Sequence, residues 1–400
     1  MTVDLPQELI DLVIDLIAVD SWLSLSACSL VCRSWVSRTR SHLFQRCKTL
    51  MTHNIFYFLD LQQSPYCTFL THVRIVRFSI RRLFPVDAIA AAAGQVRLTD
   101  VRTLEMRIQY SGCPEGVYSL LASAFPDITD LHLFSDTRVP LPLMDFISCF
   151  PALRELRIKD CDRDSDSPYT PSDAIPPPGL RSLDLAGNAP GPILAWLHAA
   201  GHLPNVDSVR LHQLRSDHIP VARTALPQIG RALRTLDLSL DLPFDVPTLS
   251  WLDLSLHPGL RSLAIRRVSG GYHDFGANQV LPLLSTLAAP NLERLEMDFN
   301  RPFFQSADWA VLDTLLCPAR FPCLRHIMVV LPAYRNHNDD FLAEALPTLE
   351  AAGVLCLGYP TAWGARVAST ASTALLPITE LRRLASSILY GRNFALPVKP

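Results

Sequence analysis

The sequence predicts an α/β fold in which short strands and helices alternate in consecutive units that stack side by side. Three observations support this prediction. Apolar residues at positions one, four and six of a six-residue window recur every 25 to 32 residues from residue 73 onward. Proline stands two residues before many copies, and helix-like segments occupy the intervals. A chain of this kind buries the apolar face of each unit against the next unit.

The recurring window predicts the strands of the fold. Successive residues of a strand point to opposite faces, so positions four and six face the interior and position one closes the preceding turn. A degenerate eleventh copy lies at residues 351–357. The ten clear copies are VRIVRF at Val73, VRTLEM at Val101, ITDLHL at Ile128, LRELRI at Leu153, LRSLDL at Leu180, VDSVRL at Val206, LRTLDL at Leu233, LRSLAI at Leu260, LERLEM at Leu292 and LRHIMV at Leu324.

The intervals predict helices that return the chain to the start of the next strand. Helix-like segments begin at Ile193, Val280, Asp308 and Asp339. Because proline cannot continue a helix, the recurring proline marks the corner between helix and strand. Strand and helix alternating at about 27 residues resembles the leucine-rich repeat, over residues 72–360. The resemblance implies a curved solenoid of ten or eleven repeats with a parallel sheet on its concave face.

The ninth position of the repeat departs from the leucine-rich-repeat pattern. That position is usually Asn or Cys, whose side chain satisfies backbone groups of the turn. Only Cys161, Asn188 and Asn300 fit here. We therefore expect looser turns between the strands and the segments that follow them.

Composition and charge restrict the function classes. The chain has 400 residues, 49% of them hydrophobic, and its 36 basic and 38 acidic residues give a net charge of −2. This near balance provides no global field for nucleic acid or an anionic bilayer, so neither is an expected partner. No secretory signal or apolar span of about 20 residues stands out, and the ten cysteines are scattered. We expect reduced thiols and a cytosolic or nuclear protein.

The first fifty residues lie outside the repeat and predict two or three short helices. Leu9, Leu12 or Val13, and Leu16 recur at helical spacing, with acidic residues between them. After a break near residue 20, a second helix is predicted. Its apolar stripe is continuous and consists of Leu25, Cys28, Cys32, Trp35 and Thr39.

This N-terminal segment resembles the F-box, a helical module that docks on the Skp-type adaptor of cullin–RING ubiquitin ligases. The matching residues are the opening LPxEL of Leu5 to Leu9, the apolar Val13, Ile14 and Leu16, the core SLSACSLVCRSW of residues 24–35, and the closing SHLF of residues 41–44. An F-box followed by degenerate leucine-rich repeats is similar to the expanded F-box families of mushroom-forming, basidiomycete fungi.

The resemblance implies a substrate-recognition subunit that holds a protein client near the ubiquitin-loading machinery. By motif match, the adaptor-binding residues are Leu5, Pro6, Leu9, Ile10, Val13, Leu30, Val31, Cys32 and Trp35. A fifty-residue domain with this much apolar surface is also too small to bury all of it internally. For Leu9, Leu16 and Trp35, the alternatives of internal core and adaptor interface both remain open.

Candidate chemistry finds little support. Cys28, Cys32, His42 and Cys47 lack the spacing and flanks of a zinc knuckle, and the first two lie in an apolar stripe. The acidic segment from Asp160 fails the calcium-loop pattern, so we interpret it as a solvated insertion. No nucleophile elbow, dinucleotide loop, phosphate loop or HExxH motif is present. The sequence predicts a protein without catalytic activity, cofactor or metal.

The outward positions of the strands predict the client-binding surface. Position five of successive repeats alternates in charge, apart from Ala264, which stands between Asp237 and Glu296. The candidate client-binding residues at this position are Arg77, Glu105, His132, Arg157, Asp184, Arg210, Asp237, Glu296 and Met328. Position two carries arginine in seven of the ten copies. These arginines suit a client carboxylate or phosphate, but we favour a role in covering and pairing with neighbouring repeats.

The predicted organisation has four parts. Residues 1–50 form the F-box-like domain, 51–71 a connector, 72–360 the solenoid, and 361–400 a helical cap over its open end. The predicted function is the recognition subunit of a cullin–RING ligase, with a Skp-type adaptor and an unknown protein client as partners. The alternative is a leucine-rich-repeat interaction scaffold that is not coupled to ubiquitination.

Overall fold

The fold is taken from a computed structural model of the chain. The structure describes residues 6–45, 72–80, 100–108, 117–135, 143–160, 172–240, 252–267, 277–298, 308–330 and 344–358. These residues belong to two compact units, a helical unit up to Leu43 and a repeat unit that begins at Phe44. The predicted connector of residues 51–71 and the predicted cap of residues 361–400 lie outside the described residues.

The described residues of the helical unit form three helices. α1 spans Gln7–Asp20, α2 spans Trp22–Cys28 and α3 spans Arg33–Gln45. Ser21 separates the first two helices, and its hydroxyl caps α2 by accepting a hydrogen bond from the Ser24 amide at 3.2 Å.

The predicted continuous apolar stripe on the second helix is wrong, because the helix ends at Cys28 and a new one begins at Arg33. The amides of Leu30 and Val31 bond back three residues, to the carbonyls of Ala27 and Cys28 at 3.0 and 3.2 Å. Such tight bonds close the last turn of a helix. Apolar spacing alone does not reveal this break, since the spacing continues across it.

A polar contact joins α1 to α3. The Asp15 carboxylate accepts hydrogen bonds from Arg38 at 2.6 and 2.7 Å, and His42 Nε2 lies 2.7 Å from Oδ1 of the same group. The hydrogen bond from Arg38 is the main cause that lowers the pKa of Asp15, and burial opposes it. Beneath this contact, Ile14, Leu25, Cys28 and Thr39 are buried.

The repeat unit is built on a parallel sheet of eleven strands in sequence order, from β1 to β11. Every neighbouring pair is parallel and in register, apart from one irregularity after Leu211 in β6. The strands are β1 (Ile75–Ile80), β2 (Thr103–Ile108), β3 (Asp130–Ser135), β4 (Glu155–Asp160), β5 (Ser182–Ala186), β6 (Ser208–Leu214), β7 (Thr235–Leu240), β8 (Ser262–Arg267), β9 (Arg294–Asp298), β10 (His326–Val330) and β11 (Leu355–Gly358). The strand expected from each of the ten windows is therefore confirmed, and the degenerate copy forms the eleventh.

Helices connect several of these strands and pack on the face that carries positions four and six. Apolar residues of the helices and the inward strand residues form one buried cluster that runs through the unit. The described helices are α4 (Val117–Ala124), α5 (Leu143–Ser148), α6 (Pro190–Ala199), α7 (Ile219–Ile229), α8 (Ala277–Thr286), α9 (Trp309–Leu315) and α10 (Pro347–Ala351). The fold is thus the α/β repeat solenoid that the sequence predicts.

A repeated backbone interaction joins each unit to the next at position two. The carbonyl at this position accepts the amides of positions two and three of the following repeat. In the first case, the Arg74 carbonyl accepts from Arg102 at 2.9 Å and Thr103 at 3.0 Å. The same pair of bonds recurs without interruption up to the carbonyl of Glu293, which accepts from Arg325 and His326. Each repeat therefore fixes the entry of the next strand.

Glycine is required at the corner before β8. A Cβ atom on Gly259 would overlap the carbonyl oxygen of Arg231 and lie 3.3 Å from that of Leu233, both in the preceding repeat. The equivalent position of an earlier repeat is Ala152, which shows that the corner itself tolerates a side chain.

We expect Gly259→Ala to lower the free energy of unfolding by about 1 to 3 kcal/mol, because the added atom pushes two backbones apart. Urea denaturation followed by circular dichroism measures this loss. Ala152→Gly is the matched control and should cost less, since it creates no overlap. Equal stability of Gly259→Ala and the parent chain would contradict the close approach.

Buried histidines link repeats through backbone carbonyls. His257 Nδ1 donates to the Gly230 carbonyl at 3.0 Å, and His202 Nε2 donates to the Leu180 carbonyl at 3.0 Å. Burial lowers the pKa of His257, and it does the same for His218 and His132.

The repeat unit should lose stability as the pH falls below about 6.5, the ordinary pKa of histidine. The unfolded chain then binds protons that buried, neutral histidines of the folded state bind only at lower pH. Thermal unfolding at pH 7.5 and at pH 5.5 measures the difference. His257→Gln keeps a donor for the Gly230 carbonyl without titrating, so the drop in melting temperature should be smaller. A drop of the same size in this variant would exclude His257 as a contributor.

Candidate functional site

The candidate site is the face of the sheet that carries positions three, five and seven, called the open face below. The nine predicted client-binding residues all lie on it in a single row, because consecutive strands pair at position five. Arg77 pairs with Glu105 at one end of this row, and Glu296 pairs with Met328 at the other. The structure thus brings the predicted residues together, while their role in binding stays a prediction.

Ion pairs run along the row between neighbouring strands. The guanidinium of Arg77 bonds to the Glu105 carboxylate. Towards the other end, Arg266 bonds to Asp237 at 3.0 Å and to Glu296 at 3.1 Å, which bridges three strands. The alternating charge of position five is therefore largely neutralised within the sheet itself.

Asp184 is the centre of the densest charged cluster. Arg157 Nε lies 3.0 Å from Oδ2, His212 Nε2 lies 3.1 Å from Oδ1, and Arg210 Nη1 lies 4.0 Å from Oδ2. Burial acts to raise the pKa of Asp184, but His212 and the two arginines outweigh it, so the pKa is lowered. The carboxylate is consequently ionised and holds cationic side chains around it.

The acidic members of the row are less accessible than the sequence suggests. Glu105, Asp184 and Asp237 are each more than 90% buried, while their basic partners Arg77 and Arg210 have side chains exposed by 48% and 41%. The arginines are therefore the more accessible members of the row, and the carboxylates orient them.

Sequence reasoning missed position seven, which lies on the same face two residues after position five. Arg107, Phe134, Lys159, His212 and Arg266 occupy it on five strands. Arg107 and Lys159 are exposed. The period of two along a strand is the signal that could have found these residues, since any outward position five implies an outward position seven.

Three of the seven arginines at position two pair with acidic residues next to the following strand, as the favoured interpretation expects for them. Arg74 lies 3.1 Å from Asp100, Arg102 lies 3.8 Å from Asp127, and Arg261 lies 3.6 Å from Glu293. Two of these acids directly precede the next repeat, and all three pairs are solvent-exposed. These exposed ion pairs link neighbouring repeats at the margin of the sheet, where each contributes little to stability.

The helical unit exposes many apolar side chains. Of the predicted adaptor-binding residues, Pro6, Leu9, Leu30, Val31 and Cys32 are exposed. Ile10, Val13 and Trp35 are half-buried, and Leu5 lies outside the described residues. Among the described side chains of this unit, the large exposed apolar residues are Leu9, Leu12, Leu16, Val19, Leu23, Leu30 and Val31.

Burial differs among the apolar residues of the helical unit, and an adaptor interface stays a prediction for Leu9, Leu16 and the half-buried Trp35. Leu9 and Leu16 are exposed, whereas Ile14 and Leu25 fill the core. The two cysteines also differ. Burial raises the pKa of Cys28, while the hydrogen bond with Ser34 lowers that of the exposed Cys32. Leu12, Val19 and Leu23 were not among the predicted contact residues, although helical spacing places Leu12 beside Leu9 and Leu16.

In the part of the chain that the structure describes, no group of three or more His, Cys, Asp or Glu side chains could hold a metal ion. Within the same residues, no helix has the length and apolar character needed to cross a bilayer.

Comparison with known proteins gives structural matches only. No family model and no curated protein matches the chain. Among solved structures, the TLR13–ssRNA13 complex is similar with a TM-score of 0.33 and 14% identity, over 80% of this chain and 55% of that one. The Toll–Spatzle complex of Drosophila is similar with a TM-score of 0.27 and 15% identity, over 66% and 41%. The chain spans about half the length of these structures, and the fold assignment rests on its own strand order and register.

Proposed function

We propose that the repeat unit is a protein-interaction scaffold that binds a client protein on its open face. The observation that carries this proposal is the row of mostly charged side chains at position five of β1 to β10. Arg210 within this row is half-exposed, and Arg107 and Lys159 at position seven are exposed. Outward-facing residues of a stacked sheet form an extended surface of the kind that repeat proteins use for binding. Nucleic acid is a poorer partner, because most arginines of the row are already paired with carboxylates.

Charge reversal on the open face should abolish client capture. We expect the pair Arg107→Glu and Lys159→Glu to reduce recovery of client proteins by tenfold or more, since it reverses charge on the exposed part of the face. Affinity capture on the immobilised full chain, followed by quantitative mass spectrometry, measures this. The matched control is Arg223→Glu with Arg231→Glu, two exposed arginines of the connecting segments. Equal losses in both pairs would contradict an open-face site.

A second function is proposed for the helical unit, in which it docks on the Skp-type adaptor of a cullin–RING ubiquitin ligase. It is supported by the resemblance of the N-terminal segment to the F-box and by the exposure of its apolar side chains. Leu30 and Leu23 are 86% and 82% exposed. Seven large apolar residues exposed within one small helical unit are typical of a surface that a partner covers. With this coupling, the scaffold would act as a recognition subunit without catalytic activity of its own.

The full chain should co-elute with a purified Skp-type adaptor in size-exclusion chromatography. We expect Leu30→Asp to weaken this complex more than about tenfold, because a charge replaces a fully exposed apolar contact. Leu256→Asp, at an exposed leucine of the repeat unit, is the matched control. If the unmodified chain does not co-elute with the adaptor, the ligase function is excluded and the scaffold function stands alone.

A further inference from the structure

The basic residues of the open face differ in how completely the sheet neutralises them. Arg77, Arg157 and Arg266 each bond to at least one carboxylate on their own or a neighbouring strand, at 3.2 Å or less. Arg210 occupies the same row, and carboxylates stand at its register positions on both sides, Asp184 on β5 and Asp237 on β7. The local sequence would therefore allow Arg210 the same pairing.

The structure leaves Arg210 without that pairing. Its Nη1 approaches Asp184 only to 4.0 Å, and no described residue accepts a hydrogen bond from its guanidinium. The Asp184 carboxylate is engaged at 3.0 and 3.1 Å by Arg157 and His212. The Asp237 carboxylate is engaged by Arg266. Both possible acceptors are thus held by other cations, and the donors of a 41% exposed guanidinium remain available.

The backbone of β6 supplies a second, independent observation. The register between β6 and β7 shifts between Leu211 and Leu214, beginning one residue beyond Arg210. Gln213 within this irregularity has a φ of 58°, in the left-handed region that residues other than glycine rarely adopt. Bulges of this kind redirect side chains and are common beside binding sites. Among the described strands, this distortion occurs only on β6, which has five strands on either side.

We propose that Arg210, with His212 beside it on the same strand, binds an oxyanion on a side chain of the client protein. A guanidinium offers two parallel donors to a carboxylate or a phosphate, which suits either group equally in geometry. A peptide bearing one such group fits better than a nucleic acid, because one guanidinium cannot neutralise a chain of phosphates. The inference rests on the proposed scaffold function and names the chemistry of its client.

Negative charge also lies close to the site. The buried Asp184 offsets part of the positive charge, and it also holds His212 and Arg157 around the position where an oxyanion would bind. The aspartates at positions 162, 164 and 166 follow β4, two strands away, and lie outside the described residues. The site therefore selects by the fork of hydrogen-bond donors on Arg210 more than by net charge.

The test uses the full chain with ¹⁵N-labelled arginine and three capped tripeptides, Gly-phosphoserine-Gly, Gly-Glu-Gly and Gly-Gln-Gly. We expect the Nε–H resonance of Arg210 to shift saturably with at least one of the first two peptides and not with the glutamine peptide. A response to phosphoserine alone or glutamate alone identifies which oxyanion the client carries. An unresponsive Arg210 resonance, or an equal response to the glutamine peptide, would overturn the proposal.

Two variants connect the resonance to binding. Arg210→Gln should weaken the peptide about tenfold, as read from the His212 ring signals, because a charge-assisted bond is lost. Arg223→Gln is the matched control, since it removes an exposed arginine of helix α7 that is not part of the open face. It should bind within twofold of the parent chain, and equal losses in both variants would refute a role specific to Arg210.

The titration contains neither adaptor nor client, so its outcome is separate from that of the proposed function. Captured clients together with a silent Arg210 would reject the oxyanion site while the scaffold function remained. A saturable Arg210 response without any captured client would reject the scaffold function instead.

Discussion

The rest of the repeat unit depends on one backbone interaction, the pair of hydrogen bonds that each position-two carbonyl accepts. From Arg74 to Glu293 it accepts two amides of the following repeat, at distances between 2.7 and 3.2 Å. This sets the first residue of each strand at a fixed height relative to the strand before it. The outward positions three and five then fall into straight rows, although the connecting segments differ in length and structure. The ion pairs of the open face exist because the backbone supplies that alignment.

The same constraint explains how much of the fold could be predicted from the sequence. Buried residues at positions one, four and six leave a periodic signal, so the strands and their outward residues could be predicted. The ion-pair partners could not, because the choice between Arg157 and Arg210 for Asp184 depends on side-chain geometry. The bulge at Gln213 could not be predicted either, since nothing in the local sequence marks it. Position seven was missed although the same periodicity implies it.

In the helical unit, less of the structure could be predicted from the sequence than in the repeat unit. Apolar spacing predicted helices correctly but continued through Cys28 and Cys32, where the chain closes one helix and starts another. Spacing also could not tell core from surface, because in this unit apolar residues occupy both. Ile14 and Leu16 lie two residues apart, yet one is fully buried and the other is exposed. The distinction depends on which side of α1 faces the other helices, and the Asp15 contact with Arg38 and His42 joins that helix to α3.

The regular rows of the open face also restrict the spacing of any client that crosses them in an extended conformation. Neighbouring strands of a sheet lie about 4.8 Å apart, whereas side chains on one side of an extended peptide repeat about every 6.8 Å. Two peptide steps therefore match about three strands, roughly 14 Å in each case. If one client side chain is aligned with Arg210 on β6, the next client side chains to align with position five would lie near His132 on β3 and Glu296 on β9. The sheet would then contact client residues that are four positions apart in sequence and would not contact the residues between them at equivalent positions.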